Sequence, residues 1–401
     1  MRPFTETLPF ADALRIVLDA ATPIVRTESV SLADADGRVA AKDLVAAVDV
    51  PPFDRAAMDG YAVVAQETTA ASVDAPVPLV CVDRVFTGQV PVRHVGRGEC
   101  IEVATGAPMP AGADAVVIVE DTVRDGDRIA VMRPVTARQN IGPRAADIAV
   151  GQVVISAGQL LGPSRIGALA ATGVTTAHVY ARPSIAILST GNEIVAPGQP
   201  LAPGQIYDIN RFTIESVARR NGGVVASLST AGDTLEDLRA AIDAGTRHDV
   251  LVFSGGSSVG ERDLIIDAVR ERGDVIFHGI AVKPGKPTLF ARIGNTTVFG
   301  MPGYPTSCLS NAYILLLPFL RRMARLPAWE PKTMLLPLAR RISSVAGRHQ
   351  FYTVRVVNGA AEPAFKASGD ITSMAHADGY IEVPADVEVV EGGTEVRVTL
   401  F

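Results

Sequence analysis

The sequence predicts a multi-domain α/β protein, in which a parallel sheet with helices on both faces is flanked by β-rich segments. Three observations carry that prediction. Between about residues 182 and 325, near-continuous apolar runs alternate with amphipathic stretches, the pattern of strands buried on both faces by crossover helices. On either side the apolar runs shorten, take a period of two and are broken by Gly and Pro. Hydrophobic residues make up 48% of the chain and aromatics only 5%, so Ala, Val, Ile and Leu must build the interior. A length of 401 residues suits several domains of ~100–200 residues each.

Phe10, Leu14, Val17 and Leu18 share one helical face, so the chain opens with an amphipathic helix over Phe10–Ala20 whose partner surface comes from elsewhere. From about Thr27, Val45–Val50, Val77–Val82, Ala115–Val119 and Ile129–Met132 read as short strands, followed by a helix over Ser164–Ala171 and a strand over Thr175–Val179. After Arg182-Pro183 the buried strands are Ile185–Leu188, Val224–Leu228, Val250–Phe253 and Val275–Phe277. Helices over Arg211–Arg220, Leu235–Ala244 and Leu264–Arg272 alternate with them. Thr234 or Asp233 caps the helix at 235, with Glu236 or Asp237 closing a capping box. A last helix, Ser307–Arg325, ends the block, and Phe351–Val357, Gly379–Val383 and Glu395–Leu400 read as a small β-domain.

Composition excludes several functions. Lys+Arg total 37 against Asp+Glu 43, a net charge of -6, so the chain lacks the basic surface that wrapping nucleic acid needs. Cys81, Cys100 and Cys308 are odd in number and far apart in sequence, which argues against a disulfide framework or a Cys-based zinc site and for a reducing, cytoplasmic setting. Residues Met1–Glu6 carry no charged-then-apolar signal, and the longest apolar stretch, Ala312–Leu320, is far short of the ~20 residues a bilayer span demands, so no membrane role is expected. The six histidines show no H-x-x-x-H spacing, and neither Ser189 nor Ser254 lies in G-x-S-x-G, so zinc catalysis and serine hydrolysis lack support. Gly255–Gly260 does not read G-x-G-x-x-G, and Gly285-Lys286 has Ile280 where a Walker glycine belongs, which disfavours a dehydrogenase and a P-loop NTPase.

In an open parallel α/β sheet, ligands gather beyond the carboxyl ends of the strands. That rule selects Ser189–Glu193, Ser229–Asp233 and Ser254–Asp263, three loops rich in Gly, Ser or Thr, each carrying an acid. Glycines let backbone N–H groups approach a phosphate, and carboxylates beside such a nest make sense when a divalent cation mediates. Equally, a Gly-Gly loop after a strand is a tight turn, and Asp233 a helix cap. Lys283 and Lys286 stand three apart on a loop stiffened by Pro284 and Pro287, which holds two ammonium groups in set positions suited to an oxyanion; the same pattern describes a solvated turn. Gly300–Ser307 leads from a strand through a rigid loop into a helix start, with Cys308 just inside. A lone Cys there is either activated or a small core residue.

Taken together, these segments resemble the MoeA and gephyrin E-domain family of molybdopterin molybdenumtransferases. The resemblance rests on Phe53–Val63 (FDRAAMDGYAV), Thr105–Val117 (TGAPMPAGADAVV), Ser189–Glu193 (STGNE), Asp208–Asn210, Ser254–Asp263 (SGGSSVGERD), Val282–Pro287 (VKPGKP) and Gly300–Ser307 (GMPGYPTS), which span most of the chain. It implies a homodimer whose subunit has four domains: a MogA-like α/β domain of residues 1–26 plus 182–325, a linker domain of 27–48 plus 141–181, a β-rich domain of 49–140 and a C-terminal β-barrel-like domain of 326–401. The implied reaction transfers molybdenum from molybdate to the dithiolene of adenylylated molybdopterin and releases AMP with Mg²⁺. It also implies a transient contact with the adenylyltransferase that supplies this pterin.

By the same resemblance, Glu193 and Asp263 would hold Mg²⁺. The loop of Ser254, Gly255, Gly256 and Ser257 would cradle the pterin phosphate, and Asp233 would line the same pocket. Lys283 and Lys286 would attract molybdate and the anionic pterin, Pro302 and Pro305 would shape the pocket floor, and Ser368 would help bind molybdate. Asp59 and Thr105 would reach the site from the other subunit. Two positions depart from the family: Thr353 stands where an Arg is usual, with Arg355 on the same strand face as its suggested substitute, and Tyr304 stands where Asn is common. A non-catalytic scaffold or paralogue of this fold, and an adenylyltransferase acting one step earlier, are the competing readings. The acids and lysines weigh against the first and the extra β-domains against the second.

Overall fold

The structure, a computed structural model, describes residues 7–232, 234–255 and 264–401. The chain divides into two units, one of residues 29–36 and 40–179 and one of 1–28, 37–39 and 180–401. Among the described residues no helix is long and apolar enough to cross a membrane.

The first unit is built around a six-stranded sheet in the order 115–118, 60–63, 99–103, 77–85, 128–131, 122–125. Its two faces bury separate apolar clusters, Tyr61, Val117 and Ile129 on one and Ile101, Val103 and Val116 on the other. Strands 77–85 and 99–103 run parallel and pair Cys81 with Cys100. The two are neighbours across the sheet although 19 residues apart in sequence, and both are free thiols. Burial pushes the Cys100 thiol up to about 12. A second core in this unit gathers Leu161 and Leu169, the latter on the helix Pro163–Ala171, with Ile155, Ala177 and Val179.

The second unit holds the α/β sheet. Its strands are β1 (Ser184–Thr190), β2 (Val224–Ala231), β3 (Val250–Ser254), β4 (Asp274–His278), β5 (Leu289–Ile293) and β6 (Thr296–Met301), in the order β2-β1-β3-β6-β5-β4. The first four in that order run parallel. Residues 275–277, expected as another parallel strand, belong instead to an antiparallel edge, because β5 and β6 form a hairpin with Ile293 opposite Thr296 that reverses the chain before it returns beside β3. On one face pack α1 (Phe10–Ala20), α2 (Asn210–Arg220) and the helices after residue 305; on the other pack α3 (Leu235–Gly245) and α4 (Leu264–Arg270). Helix α1 buries Ala13 and Val17 in the core that contains Ile185, Ile187 and Phe299.

Thr234 is the cap of α3: its Oγ1 accepts from the Asp237 N–H at 3.1 Å and donates to the Asp237 carboxylate at 2.6 Å. Asp233, the alternative cap, lies outside the described residues. The helix expected over 307–325 begins two residues earlier and is not a single α-helix. It runs as α5 (Pro305–Asn311), a π-helical stretch over Ala312–Leu316 and α6 (Leu317–Met323). Pro318 has no N–H to give to an α-helical ladder, and the altered winding sits just before it. The C-terminal sheet orders strands 349–357, 379–383, 395–400 and 333–337, and the two residues Val282 and Lys283 pair in parallel with His349 and Gln350 at its other edge.

Two predictions follow from these contacts. Phe299 is fully buried and meets Phe290 and Phe319 edge to face, each at 5.0 Å between ring centroids. Phe299→Ala should lower unfolding free energy by ~3–5 kcal/mol, read as an earlier urea midpoint with an unchanged slope. Asp249 accepts from both Arg26 guanidinium nitrogens at 2.8 and 2.7 Å and from the Ser184 N–H and hydroxyl at 2.7 and 2.9 Å. Burial raises its pKa, but the Arg26 and Ser184 hydrogen bonds outweigh it and hold the carboxyl below its ordinary value. A carboxyl lowered on folding stabilises above its unfolded value of about 3.9, and that gain is lost as pH falls through the folded value. The stability gap between wild type and Asp249→Asn should therefore narrow as pH falls from about 5 to about 2 in a series of denaturant titrations.

Candidate active site

A cleft of about 1240 Å³ opens at the carboxyl ends of β1, β3 and β6. The chain leaves β1 for β2 on one side, then crosses to β3 on the other, so the cleft lies at the point where the strand order reverses. From β1 and its loop come Ser189, Thr190 and Glu193; from β3 come Ser254 and Gly255; after β6 come Pro302, Tyr304 and Pro305. The loop after residue 282 contributes Lys283 and Lys286, and the C-terminal segment contributes Arg348 and Ser368. Of the expected site residues, Glu193, Ser254, Gly255, Lys283, Lys286, Pro302, Pro305 and Ser368 line this one cavity.

Each wall is tied to the next by short bonds. The Ser189 hydroxyl donates to Asp208 Oδ2 at 2.5 Å, and the Arg211 N–H donates to Asp208 Oδ1 at 3.0 Å, fixing a carboxylate that is 6% exposed. Gly255 has φ +98°, and a Cβ there would stand 2.6 Å from the Thr190 carbonyl oxygen, so β1 and β3 approach this closely only around a glycine. Its N–H donates to the Met301 carbonyl at 3.3 Å, which brings in the end of β6. Asn210 Nδ2 donates to the Gly303 carbonyl at 2.8 Å. The Thr306 N–H donates to the Ser368 carbonyl at 3.1 Å, and the Thr306 hydroxyl to the Asp370 carbonyl at 2.8 Å, which joins the start of α5 to the C-terminal segment.

The β2 loop differs from expectation, because Ser229–Gly232 are not among the cleft-lining residues. Asp233, Gly256, Ser257 and Asp263 lie outside the described residues. In the other unit, Asp59 and Thr105 meet: the Thr105 N–H and hydroxyl donate to Asp59 Oδ1 at 2.6 and 2.9 Å, first the backbone and then the side-chain bond holding the carboxyl below its ordinary value. Among the described residues no group of three or more His, Cys, Asp or Glu is placed to hold a metal.

Three further expectations are settled by side-chain environment. Arg355 donates to Glu362 at 2.6 Å and is not among the cleft-lining residues, so it does not substitute there for Thr353. Thr353 is itself 1% exposed and borders a separate space of about 10 Å³ beside Tyr313, Tyr380 and Phe401. Cys308 is fully buried, and burial drives its thiol further from ionisation, which makes it a core residue. Sequence reasoning passed over Arg348 and, although it noted the segment Asp208–Asn210, the role of Asp208. The first carries no motif, and the second shows its use only through Ser189, 19 positions away.

Comparison with known proteins gives matches along nearly the whole chain. The family described as "MoeA N-terminal region (domain I and II)" matches residues 8–173, that described as "Probable molybdopterin binding domain" matches 186–322, and "MoeA C-terminal region (domain IV)" matches 336–401. A protein of Mycobacterium tuberculosis named molybdopterin molybdenumtransferase 2 is 33% identical over 384 residues, covering 93% of this chain and 95% of its own length. A molybdopterin molybdenumtransferase of Staphylococcus aureus is 28% identical over 385 residues, covering 93% and 90%. Among solved structures, a molybdopterin biosynthesis moeA protein from Pyrococcus horikoshii superposes with a TM-score of 0.83 at 38% identity, covering 98% of this chain and 99% of that one.

The Asp59–Thr105 pair gives a direct check. Thr105→Val removes the hydroxyl donor and keeps the backbone one, so the Asp59 carboxyl should titrate higher, part of the way back to about 3.9, in a carboxyl NMR titration. An unchanged midpoint would remove the hydroxyl from the account.

Proposed function

The chain belongs to the MoeA family of molybdopterin molybdenumtransferases, and we propose that it inserts molybdenum from molybdate into the dithiolene of adenylylated molybdopterin, with release of AMP. The observation that carries this reading is the composition of one cavity: Lys283, Lys286 and Arg348 supply positive charge, Ser254 and Gly255 form the strand-end wall, and Glu193 supplies a carboxylate. The relatives named as molybdenumtransferases, which match over 90% or more of their own length, support the same activity.

A carboxylate facing an anion pocket is repulsive alone. Mg²⁺ takes oxygen ligands, keeps several waters and is held through one or two carboxylates plus substrate phosphates. Glu193 on the cleft wall fits that donor set, and with Asp263 it would hold the ion, which when bound would neutralise charge on the adenylate phosphates. The chain's own groups do the rest. Gly255, with no side chain, lets the end of β1 close up against it and so shapes the cavity wall; Lys283 and Lys286 hold molybdate and the pterin by charge; Pro302 and Pro305 keep the floor rigid. Ser368, whose carbonyl is engaged by Thr306, lines the same cavity, and its hydroxyl would donate to an oxyanion.

The reading also includes a cytoplasmic homodimer, with Asp59 and Thr105 of one subunit serving the cleft of the other. It keeps four domains of 1–26 plus 182–325, 27–48 plus 141–181, 49–140 and 326–401, and a transient contact with the adenylyltransferase that supplies the pterin.

Incubation with adenylylated molybdopterin, Mg²⁺ and molybdate should release AMP in proportion to enzyme, and AMP no higher than the blank would defeat the assignment. Asp263→Asn should abolish that release, by about 10²-fold or more, with circular dichroism unchanged. Wild-type turnover in this variant would exclude Asp263 from the metal site.

A further inference from the structure

The loop that carries Lys283 and Lys286 is held at its middle by a buried side chain from the far end of α5, the helix whose start lines the cleft. The Gly285 carbonyl accepts from Asn311 Nδ2 at 2.9 Å and from the Thr288 hydroxyl at 2.8 Å, and Asn311 Nδ2 also donates to Thr288 Oγ1 at 2.5 Å. The three groups close a triangle inside the protein, where Asn311 and Thr288 are both fully buried. Gly285 has φ +107°, and a Cβ there would stand 2.3 Å from Asn311 Oδ1 and 2.5 Å from Nδ2. The loop backbone therefore lies directly on the amide plane, and no larger residue fits between them.

Asn311 is the last residue of α5, whose first residues Pro305 and Ser307 line the cleft, and the π-helical stretch starts at the next position. A buried amide is costly unless its polar atoms are used, and an apolar side chain of similar volume would fill this part of the core without that cost. Asn311 Oδ1 has no partner among the described residues, so the amide is buried with its acceptor unmet. What it does accomplish is to connect the two lysines to the wall formed by the start of α5.

We infer that Asn311 is a positioning residue for the reaction: through Gly285 it sets the distance between the Lys283–Lys286 pair and the Pro302–Ser307 wall, and so the fit of the oxyanion substrate. This rests on the proposed molybdate chemistry of the cleft. Charge recognition by two ammonium groups falls off with small displacements, so an error in the loop is felt first in substrate affinity and less in turnover.

The test compares Asn311→Leu, which keeps the branching and heavy-atom count and removes the donor, with Lys283→Met and the double variant, in the AMP-release assay at varied molybdate. Asn311→Leu should raise KM for molybdate ~10-fold with kcat within about threefold of wild type. Added to Lys283→Met it should raise KM little further, because it acts through the lysine loop. Thr288→Val, which removes the second donor to the same carbonyl, should move KM in the same direction and serves if Asn311→Leu does not fold. An unchanged KM in both Asn311→Leu and Thr288→Val, or effects of Asn311→Leu and Lys283→Met that simply multiply, would overturn the inference. Absence of AMP release by the wild type would instead defeat the activity on which it rests.

Discussion

The close approach of β1 and β3 at Gly255 is the constraint on which the cleft depends. A side chain at that position would collide with the Thr190 carbonyl, so the gap between the two strand ends exists in its present form only because residue 255 has none. From that contact the rest follows by short links. The Gly255 N–H reaches the end of β6, Asn210 reaches Gly303 in the loop after it, and Thr306 at the start of α5 reaches Ser368 and Asp370. Parallel strands produce such a convergence because their carboxyl ends all emerge on one edge, and the reversal of strand order leaves a space there that no crossover covers.

The cleft lining gathers charged groups of both signs. Cations come from two separate segments, the loop after residue 282 and Arg348 just before strand 349–357, and these are adjacent because Lys283 pairs with Gln350 across the sheet. The acidic groups are treated differently. Asp208 is buried and fully engaged by Ser189 and the Arg211 N–H, so it braces β1 against the start of α2. Glu193 lies on the cavity wall, where its charge can be put to use.

Local patterns made part of this legible in the sequence. Apolar periodicity placed α1, the helices at 211–220 and 235–244, and the strands that became β1 and β3, since each is a continuous stretch whose buried face repeats at the period of its own backbone. The loop rule then led to Glu193, Ser254 and Gly255. The β5–β6 hairpin escaped, because it is built from short apolar segments that join the same sheet as the parallel strands and carry no period that separates them. The altered winding at Ala312–Leu316 escaped because an apolar run reads alike in either helix. Cys81 facing Cys100, and Ser189 bonded to Asp208, are products of register and topology, which local propensity does not contain.

The C-terminal segment shows how family resemblance and local physics can part. Thr353 occupies a position where the resemblance expects an arginine, yet strand 349–357 turns this side chain inward, between Tyr313 and Tyr380, at 1% exposure. A guanidinium in that space would need partners for five donors, and the neighbours are mostly aromatic and apolar. Arg355, two residues on, is spent on Glu362. The positive charge this segment brings to the cleft therefore comes from Arg348, which lies at the open end of the strand where a long side chain reaches the cavity without crossing the core. Position 353 thus serves packing, and the positive charge of this segment on the cleft lining is that of Arg348, five positions earlier.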